Sequence, residues 1–212
     1  MKRQIAKDLL KIRAVFLRPE EPFIWASGIE SPIYCDNRLT LSDVEVRNDV
    51  EHALAELVKT YYPECQCLMG TSTAGIAHAA LTAEILGLPM GYVRASAKDH
   101  GRNNRIEGRC EPGTKAVVVE DLISTAGSAV DVAEALREAG VEVLGIVSIF
   151  DYGMRKSLDR LKEHHLVNHS ASDYETLLEV AAEEGYIDPD NIPALLAFRN
   201  DPSDKSWMKS LK

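Results

Sequence analysis

Long apolar runs are missing from this chain of 212 residues. A membrane-spanning helix needs roughly 18 unbroken apolar residues. The long uncharged segment from Cys65 to Ala83 is interrupted by Gly70, Thr71, Ser72, Thr73 and Gly75. Near the N-terminus, Lys2, Arg3, Lys7, Asp8, Lys11 and Arg13 leave no room for a secretory apolar block, so a cytoplasmic protein is expected. Cysteine is scarce too. The four, at 35, 65, 67 and 110, are irregularly spaced and form no C-x-x-C pair, which argues against a disulfide scaffold and against zinc. Reduced thiols are expected, with Cys67 packed in a strand. Positive charge is in deficit, 24 Lys plus Arg against 33 Asp plus Glu, for a formal net charge of -9. That balance disfavours nucleic-acid partners and anionic membranes. Two phosphate fingerprints are also absent. Gly70-Thr-Ser-Thr-Ala-Gly75 has the glycine spacing of a Walker A loop, but Ile76 and Ala77 stand where its Lys and Ser/Thr belong, and no G-x-G-x-x-G occurs.

What is present is ordinary globular composition, 45% hydrophobic and 27% charged, at a length that fits one substantial domain or a core with a small appendage. Ile5, Leu9, Ile12 and Phe16 recur at helical spacing and predict a first helix stopping near Arg18-Pro19. Residues 20–41, rich in Pro, Gly and Ser, read as short strands and turns. Asp43 can cap a helix whose buried side carries Val46, Val50, Leu54, Leu57 and Val58. Two strand-helix-strand units follow. Residues 65–69 lead through Gly70–Gly75 into a helix ending at Gly87, then strand 88–93; residues 116–119 lead through Glu120–Ser128 into a helix ending at Gly140, then strand 141–150. Their near-continuous apolar strands predict a parallel α/β sheet covered on both faces. Beyond Tyr152 the chain reads as a helix with Leu158 and Leu161, a Ser/Asp turn, a helix at 174–182 and a last helix at 192–198. The expected divisions are an N-terminal helix and hood segment at 1–41, an α/β core at 42–165 and a C-terminal helical addition at 166–212.

Ligands of such sheets bind at the carboxyl ends of the strands. There, Val117-Val-Val-Glu-Asp-Leu-Ile-Ser-Thr-Ala-Gly-Ser128 ends a buried strand in two carboxylates and runs through a hydroxyl-rich turn into a helix. Small residues and a helix N-terminus favour a phosphate. Carboxylates favour sugar hydroxyls or a hydrated Mg²⁺. Ser128 is expected to cap the helix, with Asp131 completing a capping box. The Gly70–Gly75 turn reads either as a donor loop for a diphosphate or as a tight turn in which Gly75 admits close helix packing. His78 reads as a packed histidine. Finally, Arg94-Ala-Ser-Ala-Lys-Asp-His-Gly-Arg-Asn-Asn-Arg-Ile-Glu-Gly-Arg109 holds five basic and two acidic residues, a local charge of +3 that leaves -12 for the rest of the chain. With Ile106 as its one large apolar side chain, it reads as a mobile basic lid suited to closing over a polyphosphate.

The acidic strand and its loop resemble the phosphoribosyl-pyrophosphate signature of type I phosphoribosyltransferases. The resemblance implies a Rossmann-like parallel-sheet core with a small hood built from N- and C-terminal additions. It places ribose on Glu120 and Asp121 and phosphate on the loop, so that Leu122, Ile123, Ser124, Thr125, Ala126, Gly127 and Ser128 all belong to the substrate site. It also makes Gly70–Gly75 the pyrophosphate loop. Arg94, Lys98, His100 and Gly101 match the R-x-x-x-K-x-H-G stretch of orotate phosphoribosyltransferases, whose lid reaches across a dimer. Ser27-Gly-Ile-Glu-Ser-Pro-Ile-Tyr-Cys-Asp-Asn-Arg38 looks like that family's hood segment beside the base.

Membership would imply phosphoribosyl transfer to orotate in pyrimidine biosynthesis. Lys98, His100 and Asp121 would be catalytic, Arg94 would bind the diphosphate and Ser124 the orotate. Mg²⁺ would be carried by the substrate, with Asp121 its one candidate ligand, in a homodimer that shares its lid. Three departures stand out. Ala126 replaces the family's usual Gly, which strains the loop if φ there is positive and matters little if it is negative. Ala26 stands where one branch has Lys, and that branch's Arg near Tyr152 is absent. Rival readings are a phosphoribosyltransferase for another base and a non-catalytic sensor of phosphoribosyl pyrophosphate.

Overall fold

The computed structural model describes residues 1–25, 28–95 and 105–211. Helix α1 (Lys2–Lys11) is followed by β1 (Val15–Leu17), β2 (Phe23–Ile24), β3 (Glu30–Ser31) and β4 (Ile33–Cys35). A 3-10 turn (Asn37–Ser42) leads to α2 (Val44–Tyr61) and β5 (Cys67–Thr71). Then come α3 (Ala74–Leu86), β6 (Met90–Val93), β7 (Ile106–Glu107), β8 (Lys115–Ile123), α4 (Gly127–Glu138) and β9 (Glu142–Asp151). The chain closes with α5 (Arg155–Glu163), β10 (Asn168–Asp173), α6 (Tyr174–Glu183), α7 (Ile192–Asn200) and a 3-10 turn at Lys205–Ser210. No helix among the described residues is long and apolar enough to cross a membrane.

Six strands form the central sheet in the order β10-β9-β8-β5-β6-β7, parallel except for β7. Side chains alternate across it. Val117 and Val119 of β8 face one core with α1, α2 and α6; Ala116 and Val118 face a second core with α4. This two-sided burial is why the strands read as apolar runs. Local signals set the helix limits. Asp43 accepts a hydrogen bond from Val46 N at 3.1 Å to start α2, and Gly87, at φ +66°, ends α3. Cys67 is buried in β5, as expected, and burial pushes its thiol up to about 12.

Three local expectations give way. The first helix stops at Lys11, because Arg13 turns left-handed (φ 57°) and Val15-Phe16-Leu17 pairs with Cys35-Tyr34-Ile33 instead. Phe16 keeps helical spacing by coincidence; as a β-former it joins a ladder. Residues 168–173, read as a Ser/Asp turn, form β10 parallel to β9, so the sheet runs past residue 165. Polar and lacking β-branched residues, this edge strand carries no strand signal of its own. Ile106 and Glu107, read as part of the basic lid, pair with Val93 and Tyr92 as β7.

The chain ends meet over the sheet's carboxyl side. Trp25 packs edge-on against Tyr152 (5.8 Å between centroids) and Phe198 (6.0 Å), and Phe198 against Trp207 (5.6 Å). The hood expected from both terminal segments is therefore one aromatic cluster, with Lys205 bridging to Glu30 at 3.0 Å.

Candidate active site

The chain leaves β5 through α3 toward β6 on one side, and leaves β8 through α4 toward β9 on the other. The order of the sheet therefore reverses between β5 and β8. Ligand crevices of open α/β sheets form at such a switch point. Here it brings together the N-termini of α3 and α4 and the acidic end of β8.

Hydrogen bonds tie three strand ends together at this point. Ser72, after β5, donates through Oγ to Val93 O at the end of β6 (2.7 Å), and its N–H reaches the same oxygen at 3.2 Å. Thr71 Oγ1 donates to Glu120 Oε1 (2.5 Å), and Ser128 Oγ to Glu120 Oε2 (2.7 Å). Ser128 thus holds Glu120 instead of capping α4. Ala126 occupies the N-cap without a side-chain cap bond, and Asp131 pairs with Arg105. Sequence logic favoured the cap because it cannot see an acceptor eight residues upstream.

Glu120 is buried, and its carboxyl is pushed up to about 7. Desolvation is the main cause, opposed by the Thr71 hydroxyl and reinforced by the neighbouring Asp121 carboxylate, while the Asp121 backbone N–H donates to Glu120 Oε1 at 3.0 Å. Asp121 is half-buried, and its carbonyl accepts from Asn37 Nδ2 at 2.7 Å, which locks the hood segment onto the acidic strand. Sequence reasoning missed Thr71 and Asn37; both lie inside motifs it had singled out.

The loop after β8 gathers Ser124, Thr125, Ala126, Gly127 and Ser128. Ala126 sits at φ 57°, ψ 15°, so the positive-φ alternative holds and the Ala is strained where a Gly would not be. Ile123 is buried in one core and Leu122 packs, partly buried, against the other. Ser124 and Thr125 line a cleft of 1060 Å³ under the hood with Trp25, Ile29, Met154 and Arg160.

The Gly70–Gly75 turn is closely packed. A Cβ at Gly75 would overlap the Val119 carbonyl oxygen and Thr71 Oγ1, and one at Gly70 would meet Gly75 O at 2.8 Å. The tight-turn reading therefore accounts for both glycines, while the start of α3 still faces the crevice. His78 is fully buried, its Nδ1–H donating to Glu51 Oε1 (2.6 Å) while Thr82 Oγ1 donates to Glu51 Oε2 (2.9 Å), so it is a packed histidine.

Arg94 follows β6 at the rim. Its N–H donates to Arg105 O (2.9 Å) and Arg105 Nε to Arg94 O (2.8 Å), which closes the base of the basic segment. Arg94 Nε lies 3.5 Å from Glu107 Oε1, and buried Nε and Nη2 find no hydrogen-bond acceptor among the described residues. Lys98 and His100 lie outside the described residues, as do Ala26 and Ser27. Among the described residues no group of three or more His, Cys, Asp and Glu is gathered for a metal. One half-buried carboxylate, Asp121, suits the sparse protein ligation typical of Mg²⁺, whose other ligands are water and substrate phosphate.

A switch-point crevice, paired acids and a small-residue loop opening a helix define the phosphoribosyltransferase class. The family model described as phosphoribosyl transferase domain matches residues 43–177. Curated proteins named orotate phosphoribosyltransferase align over nearly the whole chain. That of Bacillus subtilis (strain 168) is 54% identical over 209 residues, 99% of this chain and 97% of its own, and that of Bacillus cereus (strain B4264) is 53% identical over 98% and 99%. Among solved structures, orotate phosphoribosyltransferase from Aeropyrum pernix superposes with a TM-score of 0.75 at 31% identity, covering 86% of this chain and 99% of that one. Leishmania donovani UMP synthase, of which this chain spans 41%, shares the fold with a TM-score of 0.78 at 24% identity. The chain belongs to the orotate phosphoribosyltransferase family.

Proposed function

We propose that this chain transfers the ribose 5-phosphate group of phosphoribosyl pyrophosphate to orotate, giving orotidine 5′-monophosphate and pyrophosphate in pyrimidine biosynthesis. The observation that carries this is 54% identity, over 99% of the chain, to a protein named for that activity. In the reaction a ring nitrogen of orotate bonds to C1′ as the C1′–O bond to pyrophosphate breaks. Positive character grows at C1′ and negative charge on the leaving group. Interactions stronger in that transition state than in the ground state provide the acceleration.

The residues divide this work by charge. Asp121 accepts hydrogen bonds from the ribose hydroxyls and lies on the side of the electron-poor carbon. Residues Ser124–Ser128 take the 5′-phosphate through N–H and hydroxyl donors at the start of α4, and Ser124 also meets the base. Arg94, Lys98 and His100 stabilise the departing diphosphate. Asp121, together with the substrate phosphates, would hold Mg²⁺, which would supply further charge neutralisation. The negative charge of orotate lies on its carboxylate; the ring N–H proton is released as the N–C1′ bond forms and passes to water or to the departing diphosphate, and no protein base is assigned.

The enzyme is cytoplasmic and acts as a homodimer whose lid completes the neighbouring site; neither nucleic acid nor membrane is a partner. Pyrophosphate release measured with orotate, uracil, hypoxanthine and adenine should show turnover with orotate alone; turnover with a purine or uracil instead would transfer the assignment to that base. Mixing Lys98→Ala with Asp121→Ala subunits should restore activity in the hybrid. Without rescue, the lid acts within its own chain.

A further inference from the structure

Arg160, on α5, lies 35 residues beyond the phosphate loop in sequence and against it in space. Its Nη1 donates to Thr125 O at 2.9 Å, and the same Nη1 lies 2.9 Å from where a Cβ on Gly127 would project. The guanidinium therefore covers both residues flanking Ala126, the one loop residue held at a positive φ without being glycine. It is half-buried, lines the cleft that holds Ser124 and Thr125, and has no carboxylate within ion-pair distance among the described residues. Its neighbour Arg155, by contrast, leans on Asp159 at 3.9 Å.

A left-handed alanine persists only where its surroundings over-determine it. The planar guanidinium, with donors in fixed directions, is suited to that task. We propose that Arg160 is the positioning residue of the phosphate loop: by holding Thr125 O and resting on Gly127 it keeps Ala126 left-handed, and so keeps the N–H donors at the start of α4 aimed at one point. This rests on the reading of that loop as the 5′-phosphate site. Because the guanidinium acts through the loop, its loss should weaken phosphoribosyl pyrophosphate binding and leave the chemical step almost untouched. Glycine at 126 enters the left-handed region without a Cβ penalty and needs less bracing, so Arg160 should matter less in an Ala126→Gly background.

The test is a dissociation constant for phosphoribosyl pyrophosphate, measured by calorimetry on wild type, Arg160→Ala, Arg160→Lys, Ala126→Gly and the Arg160→Ala/Ala126→Gly double variant. Turnover with orotate is followed in parallel. Arg160→Ala should raise the dissociation constant about tenfold, the scale of one charge-assisted hydrogen bond, with kcat within about threefold. Lys should recover most of the loss. In the glycine background the loss should shrink to about threefold or less. Should Arg160→Ala melt early, Arg160→Gln replaces it. An unchanged dissociation constant, an equal loss in both backgrounds, or no binding by wild type overturns the proposal. Binding without orotate turnover overturns the assignment of the base and leaves the Arg160 comparison readable.

Discussion

The loop after β5 and the loop after β8 both carry a buried strand into a helix N-terminus at the same crevice, yet they restrict side chains for opposite reasons. At Gly75 the obstacle is space, because a methyl group would enter the Val119 carbonyl and the Thr71 hydroxyl. At position 126 the obstacle is a dihedral angle, and the chain tolerates an alanine there at φ 57°. The first loop is packed against the β8 backbone and tied by Thr71 to Glu120 and by Ser72 to Val93. The second is fixed by polar contacts, Glu120 to Ser128 and Arg160 to Thr125. Glycine spacing alone would class the first as the phosphate loop. The 5′-phosphate site proposed above lies instead in the second, which is poorer in glycine.

Space should be the harder constraint to violate. Gly75→Ala must push the start of α3 off β8 and is expected to cost about 3 kcal/mol, as overpacking against rigid backbone does. Urea unfolding measures it; a loss under about 1 kcal/mol would mean the two elements can slide apart, and the contrast between the loops would vanish.

A smaller effect separates the two loops by pH, since Glu120 touches both through Thr71 and Ser128. Its carboxyl sits raised, to about 7, above the ordinary value of 4.5. Below about pH 4.5 the residue is protonated in folded and unfolded chains alike and costs nothing. Between 4.5 and 7 the unfolded chain ionises first, so this residue's contribution to stability falls as pH rises and is lost above the folded value. Glu120→Gln should therefore gain on wild type between pH 5 and pH 8, by about 1–2 kcal/mol once the site relaxes. A pH-independent difference in melting would show that Glu120 is not the titrating group.

How much of this was legible follows from where each contact lies in the chain. The parallel sheet was readable because β5 and β8 are apolar on both faces, and the acids because they interrupt such a run. Edge strand β10 was not, since its polar residues satisfy only one neighbour and need no apolar alternation. In the site, Glu120 and Asp121 were adjacent and visible. The raised carboxyl of Glu120 was not, because the hydroxyls that cover it come from Thr71 and Ser128, 49 and 8 residues away. Residue 126 was legible as a question. The sign of φ decided it, and Arg160, which braces the answer, belongs to no local pattern.

The smallest effect is expected where the backbone angle is the obstacle. Ala126→Gly removes the left-handed penalty of roughly 1–2 kcal/mol. It also frees the unfolded chain, at roughly 0.5–1 kcal/mol, and gives up a buried methyl worth about 0.8 kcal/mol. Ala126 is only 3% exposed, so the methyl term applies nearly in full. The three nearly cancel, and unfolding stability should move by less than about 1 kcal/mol in either direction. Ala126→Val keeps the angle but adds a β-branched side chain to it, and should lose about 2 kcal/mol or more. Measured together by urea unfolding, the pair isolates the angle from the packing: if glycine instead destabilises by 2 kcal/mol or more, the methyl group's contacts hold the loop, and positions 75 and 126 differ in degree only.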